Sequence, residues 1–96
     1  MKFALPVLAA ALLFATGAQA QAPSAEQQAE FYKTCMSIAQ NETLCACKRD
    51  AAPKLIDAKF MDVVIAAMRG KAPPAEYDVP YNDYIRQSNA VCIPGY

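Results

Sequence analysis

Four cysteines, Cys35, Cys45, Cys47 and Cys92, are the strongest constraint on how this chain folds, because all of them follow an apolar leader and none lies within it. Lys2 precedes an almost uncharged run from Phe3 to Ala15, then Thr16-Gly17 and Ala18-Gln19-Ala20. Small residues thus occupy the −3 and −1 positions of a cut after Ala20, which is the pattern of a secretory signal peptide. An uncleaved anchor is the competing reading. It is disfavoured because a spanning helix needs ~20 apolar residues, and Pro6, Thr16, Gly17 and Gln19 interrupt the run. Residues 1–20 are expected to be removed. Residues 21–96 then form a single domain, periplasmic or secreted, with no stable membrane insertion after cleavage.

An even number of cysteines in a short exported chain reads as a disulfide framework. Of the 96 residues, the 76 left after the leader sit near the size at which one apolar core barely offsets chain entropy. Two bridges closing loops of about 12 and about 47 residues would each destabilise the unfolded chain by roughly 3 to 4 kcal/mol in the loop-entropy treatment. That equals much of the net stability of a small domain. If Cys45 and Cys47 share a helix they point about 200° apart and need separate, distant partners. A helical hairpin turning near Asn41 sets Cys35 level with Cys47, since each is six residues from that centre. Cys45 is then left for Cys92. The expected pairing is Cys35–Cys47 with Cys45–Cys92; Cys35–Cys45 with Cys47–Cys92 ranks second, and a local Cys45–Cys47 bridge last.

Hydrophobic periodicity predicts an all-α fold, a small bundle of three or four short helices cross-linked by two disulfides. Ser24 and Gln27 have capping-box spacing, and Phe31, Cys35, Ile38 and Ala39 form the stripe of a helix over Ala25 to Ala39. Gln40-Asn41-Glu42 closes it. Asn41-Glu42-Thr43 matches a glycosylation acceptor but reads better as a turn and cap. A second helix starts near Thr43, with Leu44, Cys47, Ala51 and Leu55 on one side; Pro53 should bend or split it. Asp57 can cap a third helix, Ala58 to Arg69, whose stripe is Phe60, Val63, Val64, Ala67 and Met68 and whose stop is Gly70. Residues 71–80, with Pro73, Pro74 and Pro80, read as a proline-rich linker inside the domain. The last helix, Tyr81 to Cys92, takes Pro80 as its first-turn proline.

The residues carry little chemistry. The leader takes Lys2 out of a balance of nine basic and nine acidic side chains, leaving a net charge of −1. Neither nucleic acid nor anionic lipid meets a positive field there, so no nucleic-acid partner is expected. The chain has no histidine, which excludes Ser-His-Asp and Cys-His sites and removes the commonest metal ligand. There is no Gly-rich phosphate loop, and Asp57, Asp62 and Asp83 read as caps or surface charges. No catalytic residue, metal site or cofactor is expected. The pair Cys45-Ala46-Cys47 could hold Cu(I) as two thiolates or act as an exchanging dithiol, with Lys48 and Arg49 lowering a thiol pKa. Full oxidation with Cys35 and Cys92 is favoured over that. The spacing also lacks the knuckle of a zinc site. Met36, Met61 and Met68 read as core. Tyr77, Tyr81, Tyr84 and Tyr96 crowd the last third of the chain. The first three are the candidate partner surface, since tyrosine offers apolar area and a hydroxyl together; packing of the rings against the linker is the plainer alternative.

The leader, Phe31-x3-Cys35, Leu44-Cys45-Ala46-Cys47 opening a helix, Phe60 in a later helix and the terminal Cys92 together resemble the small four-cysteine helical periplasmic proteins of proteobacteria. That resemblance covers most of residues 21–96 and implies a fold and a place, not an activity. In outline only, the chain is similar to acid-stress chaperones of the HdeA type, which have one bridge where two are expected here and share no motif with it. The expected function is a non-enzymatic periplasmic accessory or binding protein that contacts another periplasmic protein or a small apolar ligand. Two alternatives are thiol-redox or copper handling through the C-x-C pair, and an acid-stress chaperone that loses fixed structure near about pH 2 to 3 as carboxylates are protonated.

Overall fold

A computed structural model describes residues 20–93. The leader therefore lies outside the described residues except for Ala20, and so do Pro94, Gly95 and Tyr96. The described residues form four α-helices and no strand: α1 (Ala25–Ala39), α2 (Glu42–Leu55), α3 (Ala58–Met68) and α4 (Asp78–Val91), with a 3₁₀ turn at Ala75–Tyr77 before α4.

Each of the first three helices starts at a side-chain cap that the sequence supplies. Ser24 Oγ accepts from the Gln27 amide at 3.0 Å, and Gln27 Oε1 accepts from the Ser24 amide at 2.9 Å, which completes the capping box. The Gln27 carboxamide nitrogen also donates to the Ala58 carbonyl at 2.7 Å and to Asp62 Oδ1 at 2.8 Å. One side chain therefore starts α1 and fastens it to the start of α3. Farther along, Arg69 donates to Thr34 Oγ1 at 3.3 Å and pairs with Glu30. These contacts advance together along both helices, so α1 and α3 run in the same direction. Asn41 Oδ1 caps α2 through the Leu44 amide at 3.0 Å, and Asp57 Oδ1 caps α3 through the Phe60 amide at 2.8 Å.

Between α1 and α2 the chain reverses within two residues. Gln40 takes the left-handed conformation at φ 53° and its amide bonds back to the Met36 carbonyl, the usual way a helix end satisfies its last carbonyls. Arg49 lies over the Tyr32 ring, 5.0 Å from its centroid, and adds a cation–π contact across the hairpin. Gly70, at φ +101°, ends α3 in a backbone conformation that favours glycine. The core is assembled from Phe31 and Cys35 of α1, Cys45 and Ala52 of α2, Met61, Val64 and Ile65 of α3, and Tyr84 of α4.

Two sequence-based boundaries move. Pro53 does not split α2, which continues to Leu55; it forfeits a single bond, the one a residue-53 amide would give the Arg49 carbonyl, and the Ile56 amide still closes the last turn on the Ala52 carbonyl at 2.9 Å. The linker is shorter than residues 71–80. Only 71–74 lies outside regular structure, because Ala75–Tyr77 turn and Asp78, Val79 and Pro80 already belong to α4. Pro80 is tolerated there because first-turn amides have no intrahelical acceptor.

The disulfide pairing is also corrected. Cys35 bonds Cys45 and Cys47 bonds Cys92, with Cα atoms 5.7 Å apart in both bridges. The hairpin is centred on Gln40, because α2 has begun by Glu42, and Cys35 and Cys45 are each five residues from Gln40. Facing decides the rest. Cys45 is fully buried toward α1, whereas Cys47, about 200° around α2, is part-exposed and meets the end of α4. The two bridges agree with an oxidising, extracellular type of compartment. No described helix is long and apolar enough to cross a membrane.

Paired substitutions test this topology. Cys47→Ser with Cys92→Ser should lower stability in urea by about 4 kcal/mol, and Cys35→Ser with Cys45→Ser by about 3 kcal/mol from the loop term alone. Each pair should leave no free thiol on alkylation of the denatured protein. Cys35→Ser with Cys47→Ser should leave two, and full oxidation of that variant would contradict the assignment.

Candidate functional site

The close backbone approaches are α1 to α2, α1 to α3, and α2 to α4; α3 and α4 are not among them. Aromatic packing accounts for that separation. Phe60 of α3 sits between Tyr77, 4.9 Å away centroid to centroid, and Tyr84, 6.1 Å away, both tilted as aromatic quadrupoles prefer. Phe60 acts as a wedge between the starts of the two helices. Beyond it α3 offers Val64 and Met68, which do not fill the remaining gap, and a groove of about 200 Å³ is left.

Burial orders the lining. The deepest residues are Phe31, Cys35, Val64 and Tyr84, all buried; Met68, Tyr81 and Ile85 form half-buried walls. Ile38, 59% exposed, lies at the lip with Leu44. Cys35 places the buried bridge in the groove floor, so a covalent tie fixes part of the site. Lys48 is the one charged side chain in the lining. It is half-buried, it donates to Asn89 Oδ1 at 2.6 Å, and burial lowers its pKa from the ordinary lysine value.

The three tyrosines proposed as a partner surface divide. Tyr84 is not on the surface, being 3% exposed. Tyr77 packs on Phe60, and Tyr81 joins the groove wall. All three serve to seat the chain around α4, with Tyr81 and Tyr84 also lining the groove. Lys48, which the sequence suggests only as a neighbour able to lower a thiol pKa, lines the groove instead. The available signal was the one-turn spacing of Leu44 and Lys48, which puts both on one side of α2.

Cys45 and Cys47 are each consumed by a different bridge, and no cysteine is free. In this state the C-x-C pair offers neither two thiolates nor an exchanging dithiol. Among the described residues no group of His, Cys, Asp and Glu could hold a metal ion.

Behind the groove two hydroxyls are buried without a hydrogen-bond partner, Tyr84 Oη and Ser88 Oγ. They lie one turn apart on α4. Burial dominates: with Tyr81 adding to it and Ser88 opposing it, the Tyr84 phenol is pushed up to about 12 from an ordinary 10.0. A buried, unpaired hydroxyl costs stability. Tyr84→Phe should therefore stabilise the fold by about 1 kcal/mol at neutral pH. Because the folded pKa is the higher one, this phenol contributes no pH dependence below pH 10.0; between 10.0 and about 12 the unfolded chain loses its proton first. Stability of the wild type should fall across that window by about 2 kcal/mol relative to Tyr84→Phe. Urea denaturation of both proteins at several alkaline pH values, with tyrosinate absorbance of the native state, measures it; parallel curves would contradict the buried phenol.

Searches against models of known protein families, curated protein sequences and solved structures found no match to this chain.

Proposed function

We propose that this protein is exported to the periplasm after loss of residues 1–20, and works there without turnover as a binding protein for a small apolar ligand held in the groove between α3 and α4. The groove is the observation that carries the proposal: an apolar recess with a rigid floor is the default form of a ligand site. Its titratable lining consists of Lys48, Tyr81 and Tyr84, and burial raises the pKa of both tyrosines. Such a lining suits holding a ligand better than transferring protons. Size limits the ligand. A cavity of ~150 Å³ accommodates benzene, so a groove of about 200 Å³ suits one ring or a short alkyl chain.

The described pairing of cysteines supports export, since such bridges persist where thiols are not kept reduced. The resemblance to small four-cysteine helical periplasmic proteins points the same way.

A neutral one-ring dye with polarity-sensitive emission, such as 4-(dimethylamino)benzonitrile, should brighten on adding the oxidised protein. Ile85→Trp, which places an indole in the groove wall, should reduce dye affinity at least roughly tenfold, the order of one lost apolar contact set. Val79→Trp, on an exposed part of α4, should leave it unchanged. Equal binding by both variants would reject the groove as the site. Terminal sequencing of native material should begin at Gln21, and an intact Met1 would reject export by cleavage.

A further inference from the structure

The groove lining is apolar except at one point, and that point is cationic. Lys48 takes part in none of the ion pairs among the described residues, which join Arg49 to Asp50, Arg69 to Glu30 and Arg86 to Asp83. A half-buried ammonium without a carboxylate is an uncompensated charge at the edge of a low-dielectric recess, where a counter-charge is worth more than in bulk water. It is also held in place. Asn89 Oδ1 accepts one of its protons at 2.6 Å, leaving two of the three N–H donors of an ammonium for another acceptor. The other titratable residues of the lining, Tyr81 and Tyr84, have raised pKa values and bring no competing negative charge at neutral pH. Lys48 follows Cys47 in the chain and Asn89 lies three residues before Cys92, so both partners of this hydrogen bond stand on helices that the Cys47–Cys92 bridge ties together.

We infer that the ligand of this groove is a small amphiphilic anion, a carboxylate on a short alkyl or aryl body, with the body over Phe31 and Val64 and the carboxylate on the Lys48 ammonium. This rests on the groove being the binding site proposed above and adds the charge of its occupant. The volume sets the body at about six to eight carbons, judged from the ~150 Å³ that takes benzene. A long acyl chain or a partner helix exceeds that space. The inference also explains why the chain keeps a lysine one turn from Leu44, on a side of α2 that otherwise faces apolar groups. If Lys48 merely lays its methylenes along the wall with its head in water, it would confer no preference for an anion.

Titration of the oxidised full chain with octanoate, octanol and octylamine, followed by methyl resonances of Val64, Met68 and Ile85, separates the possibilities. Octanoate should shift these methyls and bind roughly tenfold more tightly than octanol, the effect of one charge-assisted hydrogen bond, and octylamine should bind more weakly than octanol. Lys48→Gln should bring octanoate down to the level of octanol and leave octanol unaffected, while Lys48→Arg should retain the preference. If octanol equals octanoate in the wild type, or if Lys48→Gln keeps the preference, the anion assignment fails while the groove stands as an apolar site. If none of the three probes shifts these methyls, the groove reading and the anion assignment fail together.

Discussion

The two sulfurs of Cys45-Ala46-Cys47 leave α2 on nearly opposite sides, and everything else in the molecule is arranged around that divergence. One sulfur is fully buried and draws α1 against α2; the other is part-exposed and anchors the far end of α4. A single helix thus carries a covalent tie on each flank. α3 has none, and is placed instead by Gln27, which reaches its first turn, and by Arg69, which reaches back to α1. α4 has the opposite support. It is bonded to α2 but stands away from α3, with the Phe60 ring between them.

That combination explains why an open recess persists in so small a domain. Apolar walls tend to close, because separated walls forgo dispersion contacts and leave apolar surface wet. Here closure would require α4 to swing toward α3, and it is resisted from both directions. The Cys47–Cys92 bridge holds one end of α4 to α2, and the tilted Tyr77, Phe60 and Tyr84 rings prop the other. The buried hydroxyls of Tyr84 and Ser88 fit the same picture. Both are accepted without partners on a helix whose position is fixed by its cross-link and its rings, where packing alone would favour apolar side chains.

Local rules were legible in the sequence wherever the residue that decides lies within one helical turn of its effect. Ser24, Asn41 and Asp57 all cap where their spacing indicates and Gly70 is the stop; the stripe expected on α3 is rotated, because of Phe60, Val63, Val64, Ala67 and Met68 only Val64 is buried, and Met61 and Ile65 complete the buried face. What was not legible depends on rotations summed over distance. Choosing between Cys45 and Cys47 as partner of Cys35 turns on whether the hairpin centre is Gln40 or Asn41, a shift of one residue that moves the facing position on α2 by two residues, about 200° around the helix. α4 starts at Asp78, earlier than the first-turn reading of Pro80 implies, because Pro80 sits third in the helix, where an amide still has no intrahelical acceptor. The groove is a gap between helices far apart in sequence, held open by a ring, and no periodicity encodes it. Lys48 went unnoticed for the same reason: its meaning comes from what stands opposite.

Rigidity and charge then belong to one design. A ligand of about eight carbons has little surface to contribute, so its affinity depends on how little freedom the site must lose when it binds. Bridges at Cys35–Cys45 and Cys47–Cys92 remove most of that freedom in advance, one in the floor and one beside the cationic lip. A lysine on a mobile helix would follow water out of the groove. Asn89 accepts from the Lys48 ammonium on a helix that is itself bonded to α2, so the charge proposed to meet an anionic head stands between two tethered helices.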